Sequence, residues 1–249
     1  TLGIIVEATF KLAPLPTDSG ALVAVFSSMQ EAFESARNLL AQVYAPQGVH
    51  LVNAVVTDKL GLPVNIPNDG AGIIAFSFGR SRAVQRRLEQ SAALLQERKC
   101  SQVERMATRS GNDLLRALTD LGWSEGTIPQ LGLKINVPPS AFTKAITWHQ
   151  GSDIGPPSIL ADAGFGSMRL FWWDEDALPA SIAIETIARL RVIARGSGGS
   201  VVVEHCPLSA KEQVDVWGEP SVEVELMRRI KRTFDPMSTL NPGRFIGRF

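Results

Sequence analysis

The sequence predicts an α+β fold of two βαββαβ units, at about residues 21–107 and 131–205, forming antiparallel sheet covered by helices. Three observations predict it. The same order of short apolar or alternating runs and longer 3.6-periodic runs occurs twice. Each helical run carries an apolar stripe that can cover a sheet face. Turn signatures, Asn68-Asp69-Gly70 and the glycines 164 and 166, separate central strands. With 249 residues the chain can bury a large core, and its 25 basic and 25 acidic side chains leave no net field to favour nucleic acid, an anionic membrane or an acidic partner.

Taken in order, residues 1–12 read as a strand, and 13–20, with Pro14, Pro16 and Gly20, as a linker. This sets 1–18 apart from a main body at 19–208 and a C-terminal segment at 209–249. Residues 21–28 read as a strand, and 30–42 as a helix with Ala32, Phe33, Ala36, Leu39 and Leu40 on one face. A strand at 49–56 and a loop or helical turn through Leu60 and Pro63 follow. Residues 72–78 read as a third strand, 81–98 as a long helix and 101–107 as a fourth strand. A helix at 112–121 connects to the second unit. There 131–137 alternates as a strand, 139–149 is a helix opened by proline, and 158–163 pairs with 168–173 around a glycine turn. A long helix at 178–195 and a strand at 200–205 close the unit. This order is ferredoxin-like in both halves, without residue identity between them. It suits one sheet with helices on one face, or two units side by side. Residues 209–217 read as loop and 222–234 as a helix, after which the tail returns toward the first strand.

Two isolated cysteines, Cys100 and Cys206, form neither a disulfide framework nor a C-x-x-C pair, and reduced thiols in a cytoplasmic protein are expected. No apolar run is long enough to span a bilayer, so direct membrane insertion is not expected, and attachment at an inner membrane would go through a partner. His50, His149 and His205 have no ligand spacing. Of the adjacent Trp172 and Trp173, alternation sends one away from the core as a partner-contact candidate.

The two ends carry the most specific pattern. The chain opens on Thr1-Leu2-Gly3-Ile4-Ile5, and near its end Lys231, Phe234-Asp235-Pro236 and Leu240-Asn241-Pro242-Gly243-Arg244 form a rigid turn after a helix. Together they resemble the FAD-linked oxidases of the vanillyl-alcohol oxidase type, and within these the smaller FAD-binding subunit of glycolate oxidase. The resemblance implies an FAD-binding domain before Thr1, so that the chain is the C-terminal, substrate-side part of the oxidase. It implies FAD in the intact protein, with none held by this part alone.

It also implies residue roles. Thr1, Leu2, Gly3, Ile4 and Ile5, with Asn241, Gly243 and Arg244, fall on the FAD side. Lys134 falls where the family places a basic residue for a substrate carboxylate, and reads as well as a solvated strand face. Arg169 competes for the anion and is a candidate to pair with Asp162 across the hairpin. Relatives that bind a divalent metal carry two histidines where this chain has Asp162 and Arg169, and an asparagine where it has Ser167. Arginine does not ligate a metal, so no metal is expected. Glu204 and His205 resemble the Glu-His of those relatives and are the candidate catalytic, proton-handling pair. The implied activity is oxidation of a small 2-hydroxy acid, glycolate- or lactate-like, by hydride transfer to flavin. The implied partners are that substrate, a second flavin subunit and an iron-sulfur subunit. The alternative is a non-catalytic docking domain of such a complex.

Overall fold

The computed structural model describes residues 5–12, 14–106, 108–126, 128–148, 154–173, 177–218 and 222–248. The first unit runs β1 (Asp18–Phe26), α1 (Met29–Leu40), β2 (Gly48–Val52), α2 (Ala54–Lys59), β3 (Ala71–Gly79), α3 (Ser81–Glu97) and β4 (Gln102–Met106). After α4 (Thr108–Asp120), the second runs β5 (Leu131–Asn136), α5 (Phe142–Ala145), β6 (Ser158–Asp162), β7 (Ser167–Trp172), α6 (Ala180–Gly196) and β8 (Ser200–His205). α7 (Leu208–Lys211) and α8 (Val222–Phe234) precede the tail.

The two units lie side by side in one eight-stranded antiparallel sheet of order β4-β1-β3-β2-β6-β7-β5-β8, but the helices are not confined to one face of it, as the single-sheet expectation had them. Each half has the same internal order, and β2 joins β6 at the seam with His50 opposite Asp162 and Val52 opposite Leu160. Asn53 fastens that seam: its Nδ2 donates to Pro157 O at 2.9 Å and its Oδ1 accepts from Ile159 N at 3.0 Å.

Helices cover both faces of the first unit. β1 carries the run Ala21-Leu22-Val23-Ala24-Val25-Phe26 with no polar alternation, so neither face tolerates water there. Leu22, Ala24 and Phe26 join a core with α1, α3, α5 and α6, whereas Ala21, Val23 and Val25 pack with Val56 of α2 and Leu114 and Leu118 of α4. β5 alternates instead. Leu131, Leu133 and Ile135 enter the first core, and Lys134 and Asn136 are half-buried on the α4 side.

Several expectations change. The strand expected at 49–56 ends at Val52, because Asn53 spends its amide on β6 and the chain turns into α2. The helix expected at 139–149 is a 3-10 turn, Pro139–Ala141, plus α5; His149 lies outside the described residues. The loop expected at 209–217 opens with α7. Residues 5–12 take no sheet pairing and expose Ile5, Val6, Phe10 and Leu12, while β1 already starts at Asp18, inside the expected linker. The tail packs on the segment after β8 rather than on the first strand. Trp217 Nε1 donates to Arg244 O at 3.0 Å, Gly247 N donates to Asp215 Oδ2 at 3.0 Å, and Arg248 Nη2 donates to Val214 O at 3.0 Å. Trp172 is core, whereas Trp173 stacks on Phe171 and lies under Lys59 Nζ at 4.5 Å, which uses up the expected outward tryptophan.

Candidate functional site

On the α4 side of the sheet, two rows of side chains cross the seam. Register aligns His50, Asp162, Ser167 and Asn136 on β2, β6, β7 and β5, and places Val52, Leu160, Arg169 and Lys134 beside them. Period-2 alternation sends both rows to one face. α4 covers β1 but only fringes these strands, so a recess of about 450 Å³ forms between Leu115, Leu118 and Thr119 of α4 and the polar rows. Phe165, at the tip of the β6–β7 turn, stands at its rim.

Lys134 and Arg169 are direct cross-strand neighbours on this floor. Like charges so placed repel, and Glu204 relieves the strain: its Oε2 lies 3.2 Å from Arg169 Nε. The contact is too far off line to count as a hydrogen bond, yet two opposite charges at that distance attract regardless of alignment. Val202 faces Lys134, so alternation keeps Glu204, two residues on, on the Lys134 face, and a register shift beyond Val203 sets His205 rather than Glu204 opposite Gly132.

Arg169 is therefore paired with Glu204 and not with Asp162, the candidate read from the sequence. Asp162 Oδ1 instead accepts from Gly164 N at 2.8 Å and Phe165 N at 3.1 Å, closing the hairpin turn. The residues at the two histidine positions of metal-binding relatives thus have other partners. Among the described residues no group of three or more His, Cys, Asp or Glu could hold a metal ion.

His205 lies next to this recess and not in it. Its ring packs on Trp123 at 4.5 Å, above Gly132, in a hollow of about 310 Å³ that Glu204, Cys206 and Lys211 also line. Burial lowers the His205 pKa, against a smaller upward pull from Glu204. Glu204 and His205 are only partly exposed. Burial likewise lowers the pKa of His50, with Asp162 pulling it up more weakly. His50 was set aside in the sequence for want of spacing; the signal that could have found it, pairing between two units, is not local.

The C-terminal motif builds a turn. Asp235 Oδ1 accepts from Thr239 N and Oγ1, both at 2.9 Å, and Oδ2 accepts from Leu240 N at 2.9 Å and from Lys231 Nζ at 2.5 Å. Lys231 Nζ also donates to Leu240 O at 2.6 Å. Lys231 and Asp235 are both buried, and the lysine holds this turn. Asn241 and Gly243 both take positive φ, 47° and 69°, which the sequence anticipates only for the glycine. Gly243 and Arg244 line a separate recess of about 590 Å³ with Lys211, Asp215, Trp217 and Arg248. It shares no lining residue with the Lys134 recess but shares Lys211 and Val216 with the His205 hollow. Thr1, Leu2, Gly3 and Ile4 lie outside the described residues, and Ile5 is exposed. The candidate residues therefore form a belt of three recesses, linked by Glu204 and Lys211, rather than a single cleft.

Part of the sequence and the whole fold resemble known proteins. Residues 174–245 match the family model of FAD linked oxidases, C-terminal domain. The fold is similar to that of a p-cresol methylhydroxylase with substrate bound, at TM-score 0.64 and 13% identity, over 94% of this chain and 54% of that one. It is similar to a 4-ethylphenol oxidase from Gulosibacter chungangensis in an isoeugenol complex, at TM-score 0.55 and 14% identity, over 94% and 55%. An alkyldihydroxyacetonephosphate synthase matches at TM-score 0.54 and 11% identity, over 90% and 44%. The chain spans about half the length of these structures. Among the described residues no helix is long and apolar enough to cross a membrane.

Proposed function

We propose that this chain is the substrate-side domain of an FAD-dependent oxidoreductase that oxidises a small 2-hydroxy acid of the glycolate or lactate kind. The observation that carries the reading is the Lys134–Arg169 pair on the floor of the seam recess, with Glu204 against the Arg169 Nε. The trio keeps one net positive charge, suited to a monocarboxylate. Arg169 offers its terminal guanidinium edge as a planar fork, and Lys134 adds a point charge. A recess of about 450 Å³ suits a small ligand.

FAD, when bound, supplies the hydride acceptor, and this chain supplies binding, orientation and proton handling. The residues fit that division. His205 Nε2 and Glu204 Oε2 are buried without a hydrogen-bond partner among the described residues, which suits polar groups brought by a cofactor and its domain. Residues 1–5 and Asn241, Gly243 and Arg244 are proposed to face that domain. In a glycolate-oxidase-like assembly, a second flavin subunit and an iron-sulfur subunit would be the partners.

The test is kinetic. In the FAD-loaded protein, Lys134→Gln and Arg169→Gln should each raise KM for the hydroxy acid about 10- to 100-fold, the loss of a charge-assisted contact, with FAD content unchanged. Unaltered KM in both variants overturns the reading. A docking role is the second reading, favoured by the exposed Ile5, Val6, Phe10, Leu12 and Leu15. It expects subunit association to fail when these are made polar, with turnover supplied elsewhere.

A further inference from the structure

We propose that Asn136 and Ser167 hold a hydroxyl on the third carbon of the acid whose carboxylate Lys134 takes, so that the site favours 2,3-dihydroxy acids over lactate. This rests on the substrate reading above and narrows it. Lys134, Asn136 and Ser167 all line the recess, and their side chains have no hydrogen-bond or ion-pair partner among the described residues. They are immediate neighbours. Asn136 faces Ser167 across the β5–β7 pair, one row from Lys134 and Arg169, and alternation sends all four to one face. Each of the three is half-buried, open enough for a ligand to reach and covered enough for the contact to count.

Charge along the floor sets the direction of the acid. Arg169 has Glu204 against it, whereas Lys134 has no carboxylate against it among the described residues, so the acid's carboxylate goes to the Lys134 row. At the other row Asp162 stands opposite Ser167, its Oδ1 held by the Gly164 and Phe165 amides. A second carboxylate is repelled there. A neutral hydroxyl is not, because it donates to an asparagine or carboxylate oxygen and accepts from an amide or a serine. The spacing fits three carbons. Two residues along β5 separate the rows by about 7 Å, and Asn136 and Ser167 are about 5 Å apart as cross-strand neighbours. With a hydrogen bond of about 2.9 Å at each end, a three-carbon acid bridges the rows, while Leu118 and Leu160 offer apolar wall to its carbon-bound hydrogens. Lactate brings only a methyl group to the second row. It displaces water from Asn136 and Ser167 without replacing the hydrogen bonds, which costs binding.

The experiment uses the FAD-loaded protein and two inhibitors, propanoate and 3-hydroxypropanoate, which lack the 2-hydroxyl and differ only at C3. Against 2-hydroxy-acid oxidation, 3-hydroxypropanoate should have a Ki about 5- to 20-fold below that of propanoate, the effect of one or two neutral hydrogen bonds. Asn136→Ala and Ser167→Ala should each shrink that ratio about threefold or more. The propanoate Ki should stay within about twofold in both, since neither residue is placed against the carboxylate, and it reports at the same time that the site is folded. Lys134→Gln should raise both Ki values together and keep their ratio. Equal Ki values in the parent, or a ratio that survives both Asn136→Ala and Ser167→Ala, overturns the proposal. If Lys134→Gln still raises both Ki values in that case, only the C3 hydroxyl contact falls. If Lys134→Gln and Arg169→Gln also leave KM and both Ki values unaltered, the substrate reading falls with it.

Discussion

Glu204 Oε2 and Arg169 Nε lie 3.2 Å apart across β5, one on the bulged strand β8 and the other on β7. The contact ties the edge strand β8 to β7, two strands in from it. Glu204 is thereby a positioning residue for Arg169 before it is anything else.

Removing either partner should lower stability, and the effects should not add. Arg169 is about one-third exposed, at 31%, and Glu204 12% exposed, so solvent screening limits the coupling to about 1 kcal/mol. Denaturant unfolding of Arg169→Met, Glu204→Gln and the double variant measures it directly. Strict additivity would show that the two charges ignore each other.

The Asp235 carboxyl is held well below the usual carboxylate range, first by Lys231 and then by the Leu240 and Thr239 amides. A folded-state pKa below the unfolded value near about 4 means that the stabilisation is complete above that pH. It is lost as pH falls through the depressed folded value. Asp235→Asn should remove it at neutral pH too, by leaving buried Lys231 without its counter-charge. Limited proteolysis of residues 235–248 should then be faster in the variant at pH 7, with the difference from the native chain shrinking in strong acid. Equal cleavage at pH 7 would count against the turn network.

Gly166 closes the β6–β7 turn at φ 67°, and a Cβ there would sit 2.3 Å from Val137 O. Backbone, not a flexible side chain, is in the way, and Val137 N also donates to Gly166 O at 3.0 Å. Gly166→Ala should cost about 1–3 kcal/mol and lower Tm by about 2–10 °C. Because Asp162 and Arg169 flank this turn, the proposed function also expects a higher KM for the hydroxy acid. A thermal melt unchanged from the parent would remove the strain argument.

Much of the fold was legible because it rests on local periodicity. Both βαββαβ runs, the stripe Ala32, Phe33, Ala36 and Leu39, and the alternation Leu133-Lys134-Ile135-Asn136 all follow from side-chain spacing. Errors fell where non-local partners decide. Val55 and Val56 favour a strand by propensity, but Asn53 is occupied by β6 and the chain turns helical. Residues 5–12 have strand composition without a partner strand, and alternation alone does not make a sheet. The unbroken apolar run 21–26 means that both faces of β1 need cover, but which helix covers the second face, α4, came only from the structure.

The candidate site divides the same way. Lys134 and Arg169 were nameable one at a time, as basic residues on strands, and the Lys231–Asp235 spacing permitted a helix-terminal ion pair. Which charges meet was beyond sequence: Arg169 meets Glu204 because β7, β5 and β8 are neighbours in the sheet, which local chemistry does not set.

What the sequence by itself determined is the order of elements, the apolar faces and the kinked C-terminal turn, since each depends on residues within a few positions of one another. Only the tertiary structure decided that β2 meets β6, that His50 therefore shares a recess with Lys134 and Arg169, and that the tail settles on Trp217. Those contacts join positions tens of residues apart, and their geometry is set by strand register and helix coverage rather than by local chemistry.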